Sequence, residues 1–361
     1  VAKSFRSWLG ASRFVYNATL DYLKGIEGPR PHWTVVASAV LSSLPAWADE
    51  TPYQVKKIAV KDACDALSAA KVRAKKSGLP FRMSYRSKKQ PTQSCFIPKS
   101  AVSERGLYHT KSGAGLVYRE PLPSDFSDCR LTLRDGRWYL CTSYAAATTQ
   151  AENQGRVVAL DPGVRTFLTF FSEGEAGKLG HGDMGHIVRL CYRLDDLLSR
   201  MAKAPARRRA AYRKAADRMR WRIRDLIDEL HHKCARFLVD NYDVILLPTF
   251  EVLQMVRRTS RKIRRKTVRS MLTLSHFRFK QFLKAKAFEA GKTVVDVCEA
   301  YTSKTCSWSG EIVPIGGAKT IRGSDGVSMD RDYNGARGIY LRALVDTPTQ
   351  ATSLGAMVGV S

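Results

Sequence analysis

Two aspartates stand where carboxylate chemistry is possible. Asp161 ends the apolar run RVVALDPG, and Pro162-Gly163 turns the chain directly after it. Asp332 lies in MDRDYNGARGI at the start of a helical pattern, with Asp330 two residues ahead. Clustered carboxylates are the hard oxygen ligands that Mg²⁺ prefers, and a metal pair held by them can hydrolyse phosphodiesters. Each acid also has a plainer use. An Asp before Pro-Gly initiates a turn, an Asp at a helix start caps it, and Asp330 and Asp332 compete for both roles.

The composition restricts what such acids would act on. The 361 residues carry 60 Lys plus Arg against 33 Asp plus Glu, a net charge of +27. An excess of this size implies a polyanionic partner, with nucleic acid first. A hydrophobic fraction of 44% supports a core and excludes wholesale disorder. No run of about 18 apolar residues is present, which argues against a membrane-spanning helix. Eight cysteines without a C-x-x-C pair read as reduced thiols of an intracellular protein. No signal peptide is visible. The chain begins at Val1 inside an amphipathic pattern, so a preceding segment is expected to be missing.

The elements that must position the acids follow from periodicity. Residues 3–24 place Phe5, Trp8, Leu9, Phe14, Val15, Leu20 and Leu23 at helical spacings. Further helices are expected over 34–46 and 52–76, the latter opened by Pro52 and basic on one face. After Gly78 and Pro80 the pattern alternates. FRMSYR, SCFIPK, GLVYRE, CRLTL and RWYLCTSY read as strands, the last two joined as a hairpin through Arg134-Asp135-Gly136. A small twisted sheet or barrel is expected there. From 156, RVVALDPG, RTFLTFFS and HIVRL read as three strands. A helical stretch over 188–239 is divided at Pro205. DVILLP and TVVDVCEA read as buried strands, residues 302–329 as loop-rich, and NGARGIYLRAL as a closing helix. This is the element order of an RNase H-like fold, whose mixed sheet carries helices on both faces. Acids at its strand ends and on its last helix would hold two Mg²⁺ ions.

LDPGVRTFLTFFS, EAYTSKTCSWSG and MDRDYNGARGIYLRAL resemble the RuvC nuclease domain of the transposon-encoded TnpB family, and within it the eukaryotic Fanzor proteins. WLGASRFVYNATL resembles the start of the TnpB recognition lobe, so the resemblance spans nearly the whole chain. It implies an α+β multidomain protein: a helical recognition lobe over 1–78, a wedge-like β-barrel over 79–152, an RNase H-like (RuvC) α/β nuclease domain over 153–303, a degenerate zinc-ribbon loop over 304–329, and the last helix and tail over 330–361. It also implies an RNA-guided DNA endonuclease working as a monomeric ribonucleoprotein in the nucleus. Its partners would be a guide RNA and a double-stranded DNA target.

By the same resemblance Asp161 matches the first RuvC acid and Asp332 the third. TnpB usually has a glutamate just after the strand read here as DVILL. This chain has Pro248, which cannot ligate a metal. Glu251 and Glu299 are the substitutes. Glu299 is favoured, because a parallel neighbour strand lies only about 4.8 Å away and because it resembles the relocated glutamate of Fanzor proteins. Relatives carry two C-x-x-C pairs before the DRD motif. Here only Cys306 remains, with Ser309 beside it and Arg322 and Asp325 at the second pair. Structural zinc needs four ligands, so none is expected, and packing of Trp308 and Ile312 is expected to hold the loop instead.

Two basic runs flank the acids in sequence. Residues 200–236 hold 13 Lys/Arg against four acids, and 257–292 hold 13 against one. Arg208, Arg222, Arg261 and Arg265 are candidates there for phosphate contact, which is strong and sequence-blind. In the family such helices line the guide–target duplex, read by its backbone shape. Tyr16, Asn17, Tyr53, Gln54, Lys57 and Lys61 are candidates for reading an adjacent motif, with Tyr16 alternatively in the core. Arg331 and Asn334 flank Asp332 as candidates to orient it or to contact the scissile strand, Lys304 is a candidate phosphate contact, and Arg337 could serve structurally. Two rivals remain: an RNA-guided binder with weak or no cleavage, and a guide-independent, structure-specific RuvC-like nuclease.

Overall fold

The computed structural model describes all residues except 79, 82, 114, 150–153, 250–263, 299–301, 303 and 347–361. The chain divides into two units, residues 1–145 and 146–361.

The first unit opens with three helices, α1 (Ala2–Lys24), α2 (Trp33–Ser42) and α3 (Tyr53–Ser77). Phe5, Trp8 and Leu9 of α1 and Val55 of α3 are buried together with Cys95, Ile97, Leu107, Cys129 and Leu131 from the strands that follow. The helical segment and the β segment therefore share a core. β1 (Thr92–Ile97), β4 (Cys129–Arg134) and β5 (Arg137–Thr142) form an antiparallel sheet in the order β1-β4-β5. β2 (Val102–Ser103) and β3 (Gly106–Leu107) make a separate ribbon, followed by the single-turn α4 (His109–Ser112). The β4–β5 hairpin turns at Asp135 (φ 48°) and Gly136 (φ 85°), the paired positive angles of a tight two-residue turn.

The expected barrel does not close among the described residues, and neither GLVYRE nor the described part of FRMSYR is a strand. One reason is visible at Arg86. Its backbone N–H donates to Asn17 Oδ1 at 2.8 Å, and its carbonyl accepts from Asn17 Nδ2 at 3.0 Å. A helix side chain thus satisfies the peptide groups that a strand partner would otherwise claim.

The second unit is built on a five-stranded mixed sheet ordered β10-β9-β6-β7-β8. Its strands are β6 (Val157–Pro162), β7 (Leu168–Phe171), β8 (Ala176–Leu179), β9 (Val244–Pro248) and β10 (Thr293–Val297). β6, β9 and β10 run parallel, while β7 and β8 are antiparallel to their neighbours. The third strand expected at HIVRL is instead helix, in α5 (Asp183–Lys203). Ile187, Leu190 and Cys191 are buried at helical spacing there, and AGKL supplies the strand. α6 (Ala206–Asn241) follows, separated from α5 at Pro205 as expected. α7 (Arg265–Leu274), α8 (His276–Glu289) and α9 (Arg331–Asp346) follow among the described residues, with a ribbon of β11 (Thr320–Arg322) and β12 (Ser328–Asp330) before α9.

Alternation along β6 shows how the sheet is covered. Val158 and Leu160 pack with Ile187, Leu230, Leu238, Phe279 and Leu283 of the long helices. Val157 and Ala159 pack with Ile339, Tyr340 and Ala343 of α9. Successive side chains point to opposite faces, so Asp161 falls in phase with Ala159, on the α9 face.

Asp243, 3% exposed, ties the amino ends of the three parallel strands. Its carboxylate accepts from the backbone N–H groups of Gln154 and Arg156, from Arg156 Nε at 3.2 Å and from Lys292 Nζ at 2.6 Å. Burial alone would raise its pKa, but these bonds outweigh burial and hold it well below the usual carboxylate range.

Phe167 is sandwiched between two buried histidines, with ring centroids 5.2 Å from His231 and 5.0 Å from His276. Burial pushes both imidazoles down to about 4. An unfolded histidine titrates near 6.5. The unfolded chain therefore binds more protons between these values, and the stability is complete above about pH 6.5 and lost as pH falls toward 4. Denaturant unfolding at pH 7 and pH 5 should differ by on the order of 2 kcal/mol per histidine. A double variant His231→Gln/His276→Gln should lose most of that difference.

Candidate functional site

Asp161 sits at the carboxyl end of β6, opposite Asp243 in the strand direction. It pairs in register with Thr169, which pairs with Lys178, so the three side chains form one row on the α9 face. Above the row lies the first part of α9. A Cβ built on Gly335 would stand 2.6 Å from Asp161 Oδ2. A side chain there would push the carboxylate aside, and its absence lets the carboxylate approach the helix directly. Asp161 and the Asp332 turn of α9, remote in sequence, are thus brought together.

The two acids at the start of α9 divide their roles. Asp330 Oδ1 accepts from the backbone N–H groups of Asp332 at 2.9 Å and Tyr333 at 3.4 Å, which is a cap on the helix start. Asp330 Oδ2 accepts from Lys178 Nζ at 2.8 Å. Burial raises the Asp330 pKa, but the Lys178 and amide bonds prevail and lower it. The bond to Asp330 in turn raises that of Lys178. Asp332 lies 3.9 Å from the same ammonium, and its side chain is 48% exposed. Capping by Asp330 leaves Asp332 the acid available to a ligand. It also explains why α9 starts at Arg331, ahead of the expected Asn334.

Pro248 is buried at the end of β9, in register with Val297 of β10. It lies on the α9 face in phase with Leu246, and it offers no ligating atom. Glu299 and Glu251 lie outside the described residues, as does Arg261. Among the described residues no group of three or more His, Cys, Asp or Glu is placed to hold a metal ion. The described part of the site still suits a divalent cation. Its donors are hard carboxylate oxygens, a cradle at Gly335 admits one of them, and an ammonium already rests against Asp330 and Asp332.

The turn after Asp161 is pinned from behind. His276 Nε2, the first residue of α8, bonds the Gly163 carbonyl at 3.0 Å. At Gly163 itself a Cβ would meet the Thr166 carbonyl oxygen at 2.6 Å, so the tight turn requires glycine.

Asn334 corrects an expectation. It is completely buried, and its amide is engaged by backbone. Its Oδ1 accepts from Ser307 N–H at 2.9 Å, and its Nδ2 donates to the carbonyls of Thr305 at 2.8 Å and Thr302 at 3.3 Å. It anchors the TSKTC loop to α9 and does not face a nucleic acid. Arg337 donates to the Ser307 carbonyl, also structurally. Arg331 donates to the Gly316 carbonyl, and Lys304 is exposed.

The loop beyond is joined by polar bonds. Trp308 Nε1 donates to Asp325 Oδ2 at 2.8 Å, and Ser324 donates through N–H and hydroxyl to Glu311 Oε2. Cys306 is fully buried, whereas Ile312 is 66% exposed, so Ile312 does not supply the expected packing. Trp308 acts through its N–H.

The basic candidates fall into two groups. Arg208, Arg222 and Arg265 are exposed on α6 and α7. On α3, Tyr53, Gln54 and Lys61 are exposed and Lys57 is half-buried. Lys57 Nζ lies 5.8 Å from the ring centroids of both Tyr53 and Trp33, and Lys61 Nζ 5.8 Å from Trp33. Tyr16 and Asn17 are corrections: Tyr16 is 5% exposed beneath the Arg86 guanidinium, and Asn17 is occupied by the Arg86 backbone. Sequence reading missed Lys178, Trp33 and His276, whose partners are far away along the chain. Gly335 carried a faint signal, three residues after Asp332 on the same helical face.

Among the described residues no helix is long and apolar enough to cross a membrane. Residues 276–339, from α8 into α9, match the family model described as Cas12f1-like, TNB domain. The A625R protein of Paramecium bursaria Chlorella virus 1, provisionally named a transposase, is 29% identical over 322 residues, 82% of this chain and 71% of A625R. The TnpB-like protein L79 of Acanthamoeba polyphaga mimivirus is 28% identical over 186 residues, half of this chain and 36% of L79, so the chain matches about a third of that relative. A Streptomyces pristinaespiralis protein, provisionally named an RNA-guided DNA endonuclease, is 25% identical over 353 residues, 93% of this chain and 84% of that protein. The matched domain and these relatives place the chain by similarity among TnpB-like and Cas12f-like proteins.

Proposed function

We propose that the protein is an RNA-guided DNA endonuclease of the Fanzor branch, hydrolysing target DNA with two Mg²⁺ ions held by Asp161, Glu299 and Asp332. The observation that carries this reading is the approach of the Asp161 carboxylate to Gly335, in the turn after Asp332. It joins two acids that the sequence separates widely. Glu299 is proposed as the third ligand, because Pro248 removes the acid from β9 and Glu299 follows Val295 and Val297 in sequence phase. A divalent metal pair, when bound, supplies Lewis-acid stabilisation for in-line displacement at phosphorus. The protein's own contribution is placement. His276 and Gly163 fix the Asp161 turn, Asp330 caps α9 so that Asp332 is held at its start, and Asn334 ties the TSKTC loop to that helix.

The partners proposed are a guide RNA and a double-stranded DNA target, bound by a monomer that works in the nucleus. Exposed Arg208, Arg222 and Arg265 would meet phosphates, and Lys304 would meet the strand being cut. Tyr53, Gln54, Lys57 and Lys61, joined by Trp33, would meet the adjacent motif. The name of the Streptomyces relative supports the RNA-guided part of this reading.

The test is to sequence RNA that copurifies with the full chain and to assay cleavage of matched DNA with that complex. Wild type should cut only with Mg²⁺ and guide. Asp161→Asn and Asp332→Asn should each reduce cleavage by at least about a hundredfold while guide binding persists. Gly335→Ala should do the same, by displacing Asp161. Guided binding without any Mg²⁺-dependent product would leave a binder; full activity on branched DNA without RNA would leave a structure-specific nuclease.

We also propose that the 304–329 loop is independent of zinc, its polar bonds replacing the metal. Removing zinc with a zinc-selective chelator (TPEN), in excess Mg²⁺, should leave the melting temperature unchanged. Trp308→Phe, which removes the N–H donor together with part of the ring, should cost at least about 1 kcal/mol of stability. A large chelator-induced drop would show that a metal holds this region after all.

A further inference from the structure

Lys178 is the unexpected member of the acid cluster. It lies on the short strand β8, in the cross-strand row with Thr169 and Asp161. Its side chain is only 21% exposed, and its ammonium lies 4.9 Å from the centroid of the Tyr333 ring. The two acids hold it unequally. Asp330 is fixed by its bonds to the start of α9 and binds the ammonium at 2.8 Å. Asp332 makes the longer contact, 3.9 Å. A compact ammonium with three rotatable donors suits such a bridge.

The arrangement solves an electrostatic problem. Carboxylates gathered for a divalent cation repel one another when no cation is present. An ammonium anchored on one of them offsets that repulsion, and the weaker of its two contacts is the one a stronger cation can displace. Once such a cation sits at Asp332, the nearby ammonium opposes it as a like charge.

Resting on the metal-centre reading above, we propose that Lys178 is a positioning residue that stands in for the divalent cation. Anchored on Asp330, it holds the Asp332 carboxylate in place in the metal-free protein and yields that carboxylate when the cation arrives. Asp330 is then the permanent partner of Lys178, and Asp332 is shared between two cations that exclude each other.

The experiment uses the full chain as wild type, Lys178→Met, Lys178→Arg, Asp161→Asn and Asp332→Asn. Mn²⁺ affinity is measured by calorimetry, and the thermal midpoint is measured with and without Mn²⁺. Lys178→Met should have a lower metal-free midpoint, bind Mn²⁺ roughly tenfold more tightly, and gain more from the metal than wild type does. Lys178→Arg should restore the metal-free midpoint. Unchanged or weaker Mn²⁺ binding in Lys178→Met, with binding still lost in Asp332→Asn, overturns the role of Lys178 alone. An unaltered metal-free midpoint in Lys178→Met overturns it equally. Wild-type Mn²⁺ binding in both Asp161→Asn and Asp332→Asn overturns the metal-centre reading and this proposal with it.

Discussion

The contact between the Asp161 carboxylate and the bare backbone of Gly335 is the constraint on which the site depends. Asp161 ends β6, the central strand of the five-stranded sheet, and α9 covers the face toward which it points. The aliphatic layer of Ala159, Leu246, Ile339 and Ala343 sets the separation of helix and sheet. Packed layers of this kind leave no spare volume. At the height of Asp161 a Cβ on the helix would displace the carboxylate from the position it holds. A glycine costs helix stability, and here that cost is exchanged for an acid held against the start of a helix.

The two ends of the same sheet use carboxylates in opposite ways. At the amino end Asp243 is buried, bonded by Arg156, Lys292 and two backbone amides, and it is fully consumed in holding β6, β9 and β10 together. Removing one partner of such a buried pair typically costs about 3–5 kcal/mol. At the carboxyl end Asp330 and Asp332 are half-exposed and share one ammonium. Charge that is partly hydrated and incompletely paired can exchange partners, whereas charge that is buried and saturated cannot. The electrostatics thus separate a saturated end of the sheet from one whose charges are incompletely paired.

The loop before α9 follows a related logic. Asn334 is buried under three backbone partners, and Trp308, Asp325, Glu311 and Ser324 bond one another across the loop. Each bond is modest alone, about 1 kcal/mol. Together they hold the loop onto α9, beside the site. Asp330, the last residue of the ribbon, passes that order on by capping the helix.

Much of this was legible along the chain. Helical spacing predicted α1 and α3, the Arg134-Asp135-Gly136 turn predicted the β4–β5 hairpin, and the apolar run before Pro162 predicted that β6 ends in an acid. These are local properties, set by side-chain periodicity and turn stereochemistry. HIVRL was misread because a short apolar run looks alike in a strand and in one turn of a buried helix. FRMSYR was misread because its backbone is claimed by Asn17, a residue far away along the chain. At the site, the sequence by itself determined that Asp161 and Asp332 are the acids to consider and that Pro248 cannot be one. Only the tertiary structure decided that Asp330 caps while Asp332 remains available, that Asn334 is a strut, and that Lys178 belongs to the cluster. The reason is physical: a cap, a buried amide and an ion pair are defined by which groups meet across strands and helices, and the spacing of residues along one segment carries no record of those meetings.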